Sequence, residues 1–149
     1  MNITNLTLLD DRLASSGQPT REQFAEIAAV GFETIINLAL PTSDNALPDE
    51  AELVRSLGLE YIHIPVIWDA PQTANLQQFM DVLDARHGKK IFVHCAMNYR
   101  ASAFIALWRC LRLGWEPEKA FATQQAIWRL DDYPIWKKFV ETALESASY

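Results

Sequence analysis

Apolar positions along this chain follow two rhythms that take turns. Three short runs, Thr34-Ile35-Ile36-Asn37-Leu38, Tyr61-Ile62-His63-Ile64-Pro65-Val66 and Ile91-Phe92-Val93-His94, are nearly continuous and rich in β-branched residues. They predict buried strands, the second stopping at Pro65 or just beyond. Between the runs the apolar spacing opens to three and four residues, which predicts amphipathic helices. Thr20-Arg21-Glu22-Gln23 reads as a capping box, with Phe24, Ile27 and Ala28 on one face behind it and Gly31 closing the helix. A polar loop from Pro41 to Pro48 leads to a helix from about Asp49 to Leu57, ended by Gly58. Leu76, Phe79, Met80 and Leu83 mark a third helix, and Phe104, Ile105, Trp108 and Leu111 a fourth that Gly114 ends. Pro117 opens a helix predicted to run through Leu130, and Pro134 opens the last.

Strands that alternate with helices imply parallel pairing, right-handed crossovers and helices on both faces of the sheet. Leu6–Leu9 and Arg12–Ser16 are expected to add edge strands. The expected fold is therefore α/β: a three-layer α/β/α arrangement around a four- to five-stranded, mostly parallel sheet. No repeat, low-complexity tract or linker interrupts residues 1–149, so a single domain is expected.

Composition narrows the function. Half of the 149 residues are hydrophobic, which excludes intrinsic disorder. A net charge of −6 argues against nucleic acid as a partner, since that binding is driven by cations. No apolar run reaches the length of a membrane span, and Met1–Asp10 lacks the features of a signal peptide, so the expected location is cytoplasmic. Cys95 and Cys110 would lie about 20 Å apart along a helix and are expected to be free thiols. No His/Cys spacing suits a metal, and no cofactor is expected.

Chemistry concentrates in Val93-His94-Cys95-Ala96-Met97-Asn98-Tyr99-Arg100-Ala101-Ser102. The stretch puts a cysteine at the C-terminal end of a buried strand, where ligands bind in open α/β sheets. The amides of Ala96, Met97, Asn98, Tyr99, Arg100 and Ala101, at a loop and a helix start, are expected to converge on an anion. The same field favours the thiolate of Cys95, and Arg100 adds a fork-shaped clamp for an oxyanion.

On these residues the chain resembles the cysteine-dependent protein phosphatase superfamily, in its dual-specificity-phosphatase-like branch. Within it, the chain is similar to a small bacterial group (DUF442) associated with beta-lactamase-hydrolase-like and sulfide-oxidation enzymes. Ser16-Gly17-Gln18-Pro19-Thr20, Ile36-Asn37-Leu38 and His63-Ile64-Pro65-Val66 extend the similarity along the chain. The superfamily signature is His-Cys, five residues, Arg, then Ser or Thr. Here four residues separate Cys95 from Arg100, while Ser102 keeps the phosphatase position and Asn98 stands where many members have Gly. Asn is the non-glycine residue best suited to positive φ, so Asn98 is expected to adopt it.

The resemblance implies a hydrolase for phosphate monoesters, acting on a phosphorylated protein or a small phosphate ester. Cys95 would form a phosphocysteine, Arg100 and the loop amides would hold the oxygens, and Asp69 would be the general acid. Ser102 would donate to the sulfur and assist release, with His94 and Asn37 in support. The four-residue spacing equally resembles rhodaneses, which implies a persulfide on Cys95 and a sulfane-sulfur donor. A third reading is a non-catalytic domain that binds an oxyanion. His63 and Cys110 read as structural, Asp81 and Asp84 as solvated, and Trp108, Trp115, Trp128 and Trp136 as core between the C-terminal helices. Tyr99 is a candidate for the pocket rim, and Gln18 for either a loop tie or the pocket.

Overall fold

The computed structural model describes residues 1–146. Its sheet has five strands, β1 (Thr7–Leu8), β2 (Leu13–Ser16), β3 (Thr34–Asn37), β4 (Glu60–His63) and β5 (Ile91–His94), in the order β1-β2-β5-β3-β4. β1 pairs with β2 antiparallel, and every other pairing is parallel. Seven α-helices connect and cover it: α1 (Arg21–Ala29), α2 (Glu50–Ser56), α3 (Thr73–Ala85), α4 (Tyr99–Leu113), α5 (Pro117–Ala120), α6 (Ala122–Gln125) and α7 (Pro134–Ser146).

The period-two pleat separates two cores. Ile35, Phe92 and Ala14 face α1 and α2, where they meet Phe24, Ile27 and Val54. Ile36, Val93, Leu13 and Ile91 face the other way, toward Leu76, Phe79, Phe104 and Trp136 of α3, α4 and α7. The result is the three-layer α/β/α arrangement. Each fully buried aliphatic side chain contributes about 1.5–3 kcal/mol relative to exposure, so both helical layers are firmly attached.

Local signals act as the sequence implies. Thr20 accepts from Gln23 N, and the Gln23 side chain accepts from Thr20 N, so the capping box closes. Gly114 ends α4 in the left-handed region at φ 73°.

Three expectations need correction. The Arg12–Ser16 segment is not an edge strand: β2 lies inside the sheet, between β1 and β5. Its buried face on each side is what the crossover geometry, not the local pattern, decides. The helix from Pro117 through Leu130 breaks into α5, α6 and a 3₁₀ turn at Leu130–Asp132. Phe121 leaves helical geometry, Gln124 donates to the Trp128 carbonyl at 2.9 Å, and the Trp128 indole donates to Ser102 Oγ at 3.0 Å. Trp128 and Trp136 are buried, whereas Trp108 and Trp115 are only half-buried. Trp108 donates to Asp84, and Trp115 lies beneath the charges of Arg109 and Lys119.

Among the described residues, no helix is long and apolar enough to cross a membrane.

Candidate active site

β2, β3 and β5 end together, because Ser16 and Asn37 are both in register with His94. The pleat sends His94 to the α1/α2 side, against the edge of Phe24. It sends Cys95 to the α4 side, fully buried in that core. Residues 96–98 then turn the chain into α4. Asn98 sits at φ 67°, as its residue type predicts, and serves as the N-cap of α4.

The carbonyls of this turn face outward. Ala96 O accepts from Gln18 N at 3.0 Å and from Asn45 Nδ2 at 3.2 Å. Met97 O accepts from Asn5 Nδ2 at 3.0 Å, and Asn98 Nδ2 donates back to Asn5 O at 2.8 Å. In a planar trans peptide the C=O and N–H point in opposite directions. The outward carbonyl of Ala96 therefore turns the Met97 amide inward, while the Asn98 amide lies on the Ser16 side, in the antiparallel bridge of Gly17 with Met97. Among the described residues, the N–H groups of Ala96, Met97, Tyr99, Arg100 and Ala101 have no protein acceptor. Together with the N-terminal end of a fifteen-residue helix, they form a concave set of donors suited to an oxyanion.

Gly17 is the backstop of the turn. A Cβ there would lie 2.7 Å from Ala96 O and 3.2 Å from Met97 Cα. Gly17→Ala must push the turn off its position. It is expected to weaken binding of an oxyanion such as vanadate by at least about tenfold, measured by calorimetry. Unchanged affinity would mean the turn has slack.

Above the turn lies a cavity of about 220 Å³, lined by Trp68, Cys95, Ala96, Met97, Tyr99, Arg100 and Tyr133. Arg100 is buried and donates from Nη1 to Val66 O at 2.8 Å, which ties α4 to the loop after β4. Tyr99 is on the cavity wall and stacks on Trp128 at 5.1 Å between ring centroids. Trp68 stacks on Trp136, whose indole donates to Trp68 O at 2.7 Å.

Two expected contributors stand apart from the sulfur. Ser102 donates its one hydroxyl hydrogen to Tyr99 O at 3.0 Å and accepts from Trp128 Nε1 at 3.0 Å. With its hydrogen committed there, it has none for Cys95 in this arrangement. Asp69 is exposed in the turn after Trp68 and does not line the cavity. Asn37 does act as a tie: it donates to the Tyr61 hydroxyl at 3.0 Å and accepts from Ala39 N at 2.8 Å. His63 contacts Ala39 O at 2.6 Å, and Cys110 is a half-buried free thiol that burial and Glu116 push up.

One residue beside the site gave no signal in the sequence. Glu50, at the first position of α2, is buried and meets His94 Nε2 through Oε2 at 2.7 Å. Its Oε1 accepts from Gln18 Nε2 at 2.7 Å, so Gln18 faces this network and not the cavity. Burial pushes the Glu50 carboxyl up, but hydrogen bonds from His94, Gln18 and Tyr61 outweigh it and hold the group below its ordinary range. Burial, with Glu50 nearby, pushes the Tyr61 hydroxyl well above its ordinary value. In sequence Glu50 looks like any acidic residue of a first helical turn, favoured there by the helix dipole.

The sequence profile of the family described as "DSP-PTPase phosphatase fused to NAD+ Kinase" matches residues 5–133. The chain belongs to that family. The DUF442 protein of Shewanella putrefaciens CN-32, known as a crystal structure, shares this DSP-PTPase fold at a TM-score of 0.89. It is 35% identical, and the alignment covers 99% of this chain and 95% of that one. The crystal structure of TpbA from P. aeruginosa superimposes at a TM-score of 0.74 with 18% identity, covering 98% and 92% of the two chains, a likeness of fold. A "Beta-lactamase hydrolase-like protein" of Xylella fastidiosa is 33% identical over 102 residues, or 66% of this chain. The match takes up 23% of that relative, so this DSP-PTPase chain spans about a quarter of the curated proteins it resembles.

Proposed function

We propose that this chain is a cysteine-dependent phosphatase that hydrolyses phosphate monoesters through a phosphocysteine on Cys95. The observation that carries the reading is the orientation of the turn at residues 96–98. Its carbonyls are held outward, and unpartnered amides face the cavity that Cys95 and Arg100 share.

The chemistry follows from that placement. The Cys95 thiolate attacks phosphorus in line, the S–P bond forms, and the P–O bond to the leaving group breaks. The amides and Arg100 stabilise the charge that builds on the equatorial oxygens. A carboxylic acid gives its proton to the leaving oxygen and then takes one from the water that cleaves the S–P bond. Asp69 is our candidate. It lies three residues beyond Val66, whose carbonyl Arg100 grips, so an ordered clamp orders the start of its loop. Closure of that loop over the substrate would bring its exposed carboxylate inward. The substrate is a phosphorylated protein or a small phosphate ester.

Asp69→Asn is expected to reduce kcat for an aryl phosphate by about 10²-fold. An unchanged kcat would remove Asp69 from this role. The four-residue interval between Cys95 and Arg100 favours a second reading, transfer of sulfane sulfur through a Cys95 persulfide. Parallel assays of aryl phosphate hydrolysis and of sulfur transfer from thiosulfate to cyanide separate the two. Transfer without hydrolysis would overturn the phosphatase reading.

A further inference from the structure

A buried carboxylate–imidazole pair next to the Cys95 turn belongs to no step described so far. Glu50 and His94 lie beneath the turn, on the α1/α2 side of the sheet, 4% and 0% exposed. His94 Nε2 is 2.7 Å from Glu50 Oε2, and His94 Nδ1 is 3.1 Å from the carbonyl oxygen of Cys95. Both ring nitrogens therefore face oxygens that carry no hydrogen. A neutral imidazole has one N–H and would set a lone pair against one of those oxygens, whereas the imidazolium donates to both.

The groups around the pair support a charged form. Glu50 faces it from α2, Gln18 from the turn after β2, and Tyr61 from β4, while α1 contributes the edge of Phe24. Behind Tyr61 lie His63, with ring centroids 6.1 Å apart, and Arg55, whose guanidinium is 5.8 Å from the Tyr61 ring. Among the described residues, Glu50 is thus the one carboxylate that meets the imidazole. A buried imidazolium is not sustained without such a partner.

We propose that Glu50 is a positioning residue that keeps His94 doubly protonated, and that the positive end of this pair, against the Cys95 peptide, helps hold Cys95 as thiolate. The proposal rests on the reading of Cys95 as the reactive thiolate, but not on what that thiolate attacks. On this proposal, removing the Glu50 charge takes away the partner of the imidazolium that lies 3.1 Å from the Cys95 carbonyl oxygen.

The test needs no substrate. Alkylation of Cys95 by iodoacetamide is followed against pH by mass spectrometry of the peptide that contains it, in the wild type, Glu50→Gln and Glu50→Asp. Glu50→Gln is expected to slow the reaction about tenfold at pH 6 and move its profile up by about one pH unit, with Glu50→Asp restoring most of it. A Glu50→Gln profile that coincides with the wild type, or moves to lower pH, overturns the proposal. Should that variant not fold, ¹⁵N–¹H spectra of the His94 ring in the wild type at pH 7 decide the matter. The imidazolium pattern supports the proposal, and a neutral-tautomer pattern overturns it. Absence of hydrolysis with normal alkylation would count against the phosphatase reading alone, whereas a wild-type thiol inert to iodoacetamide would sink both.

Discussion

Cys95→Ser is expected to lower hydrolysis of an aryl phosphate by about 10⁴-fold or more, the scale on which removal of an enzyme nucleophile is felt. The melting temperature should stay close to that of the wild type. Serine fits the space of the thiol, and the Cys95 backbone keeps its bond to Ser16 O at 3.3 Å. What changes is the attacking atom: among the described residues that line the cavity, no carboxylate or imidazole stands ready to take the proton of a hydroxyl. The amides of the turn and Arg100 are untouched, so the variant should still bind an oxyanion. Loss of turnover with retained vanadate binding is the expected signature, and undiminished turnover would show that another residue attacks phosphorus.

Arg100→Lys is expected to cost about 10²–10³-fold in kcat/KM for the same substrate, the range seen when one donor to a developing oxyanion is lost. The argument rests on geometry more than on charge. Nη1 of Arg100 is already committed to Val66 O at 2.8 Å, and the rest of the planar fork remains for the ligand. A lysine ammonium is a point charge at the end of a flexible stem and cannot fix both partners in one plane. It would satisfy either the Val66 carbonyl or the oxyanion. Steady-state kinetics with a fall mainly in kcat would show that the clamp acts in the transition state. Kinetics equal to the wild type would reduce Arg100 to a structural tie.

Much of this architecture is legible in the sequence because its causes are local. The capping box at Thr20–Gln23 closes through neighbouring atoms, and the positive φ of Asn98 follows from its residue type. The three apolar runs name β3, β4 and β5 because continuous burial needs continuous apolar side chains. What escapes is set by distant partners. β2 owes its interior place to pairing with β5, whose partner residues lie seventy-eight positions further along. The chain after α6 places Trp128 against the face of Tyr99 and the hydroxyl of Ser102, partners far away in the sequence. For the same reason Ser102 holds its signature position while its hydrogen is directed elsewhere. Glu50 is invisible for a further reason: nothing in a run of polar residues tells a carboxylate that meets water from one that meets an imidazole.

The segment at Thr4–Asn5 has a practical meaning. Thr4 receives the Gly17 amide, and Asn5 exchanges hydrogen bonds with Met97 and Asn98, so this segment buttresses the turn at residues 96–98 from outside. Changing those residues, or crowding them with a purification tag, would disturb the turn after Cys95 although they lie more than ninety positions away in the chain.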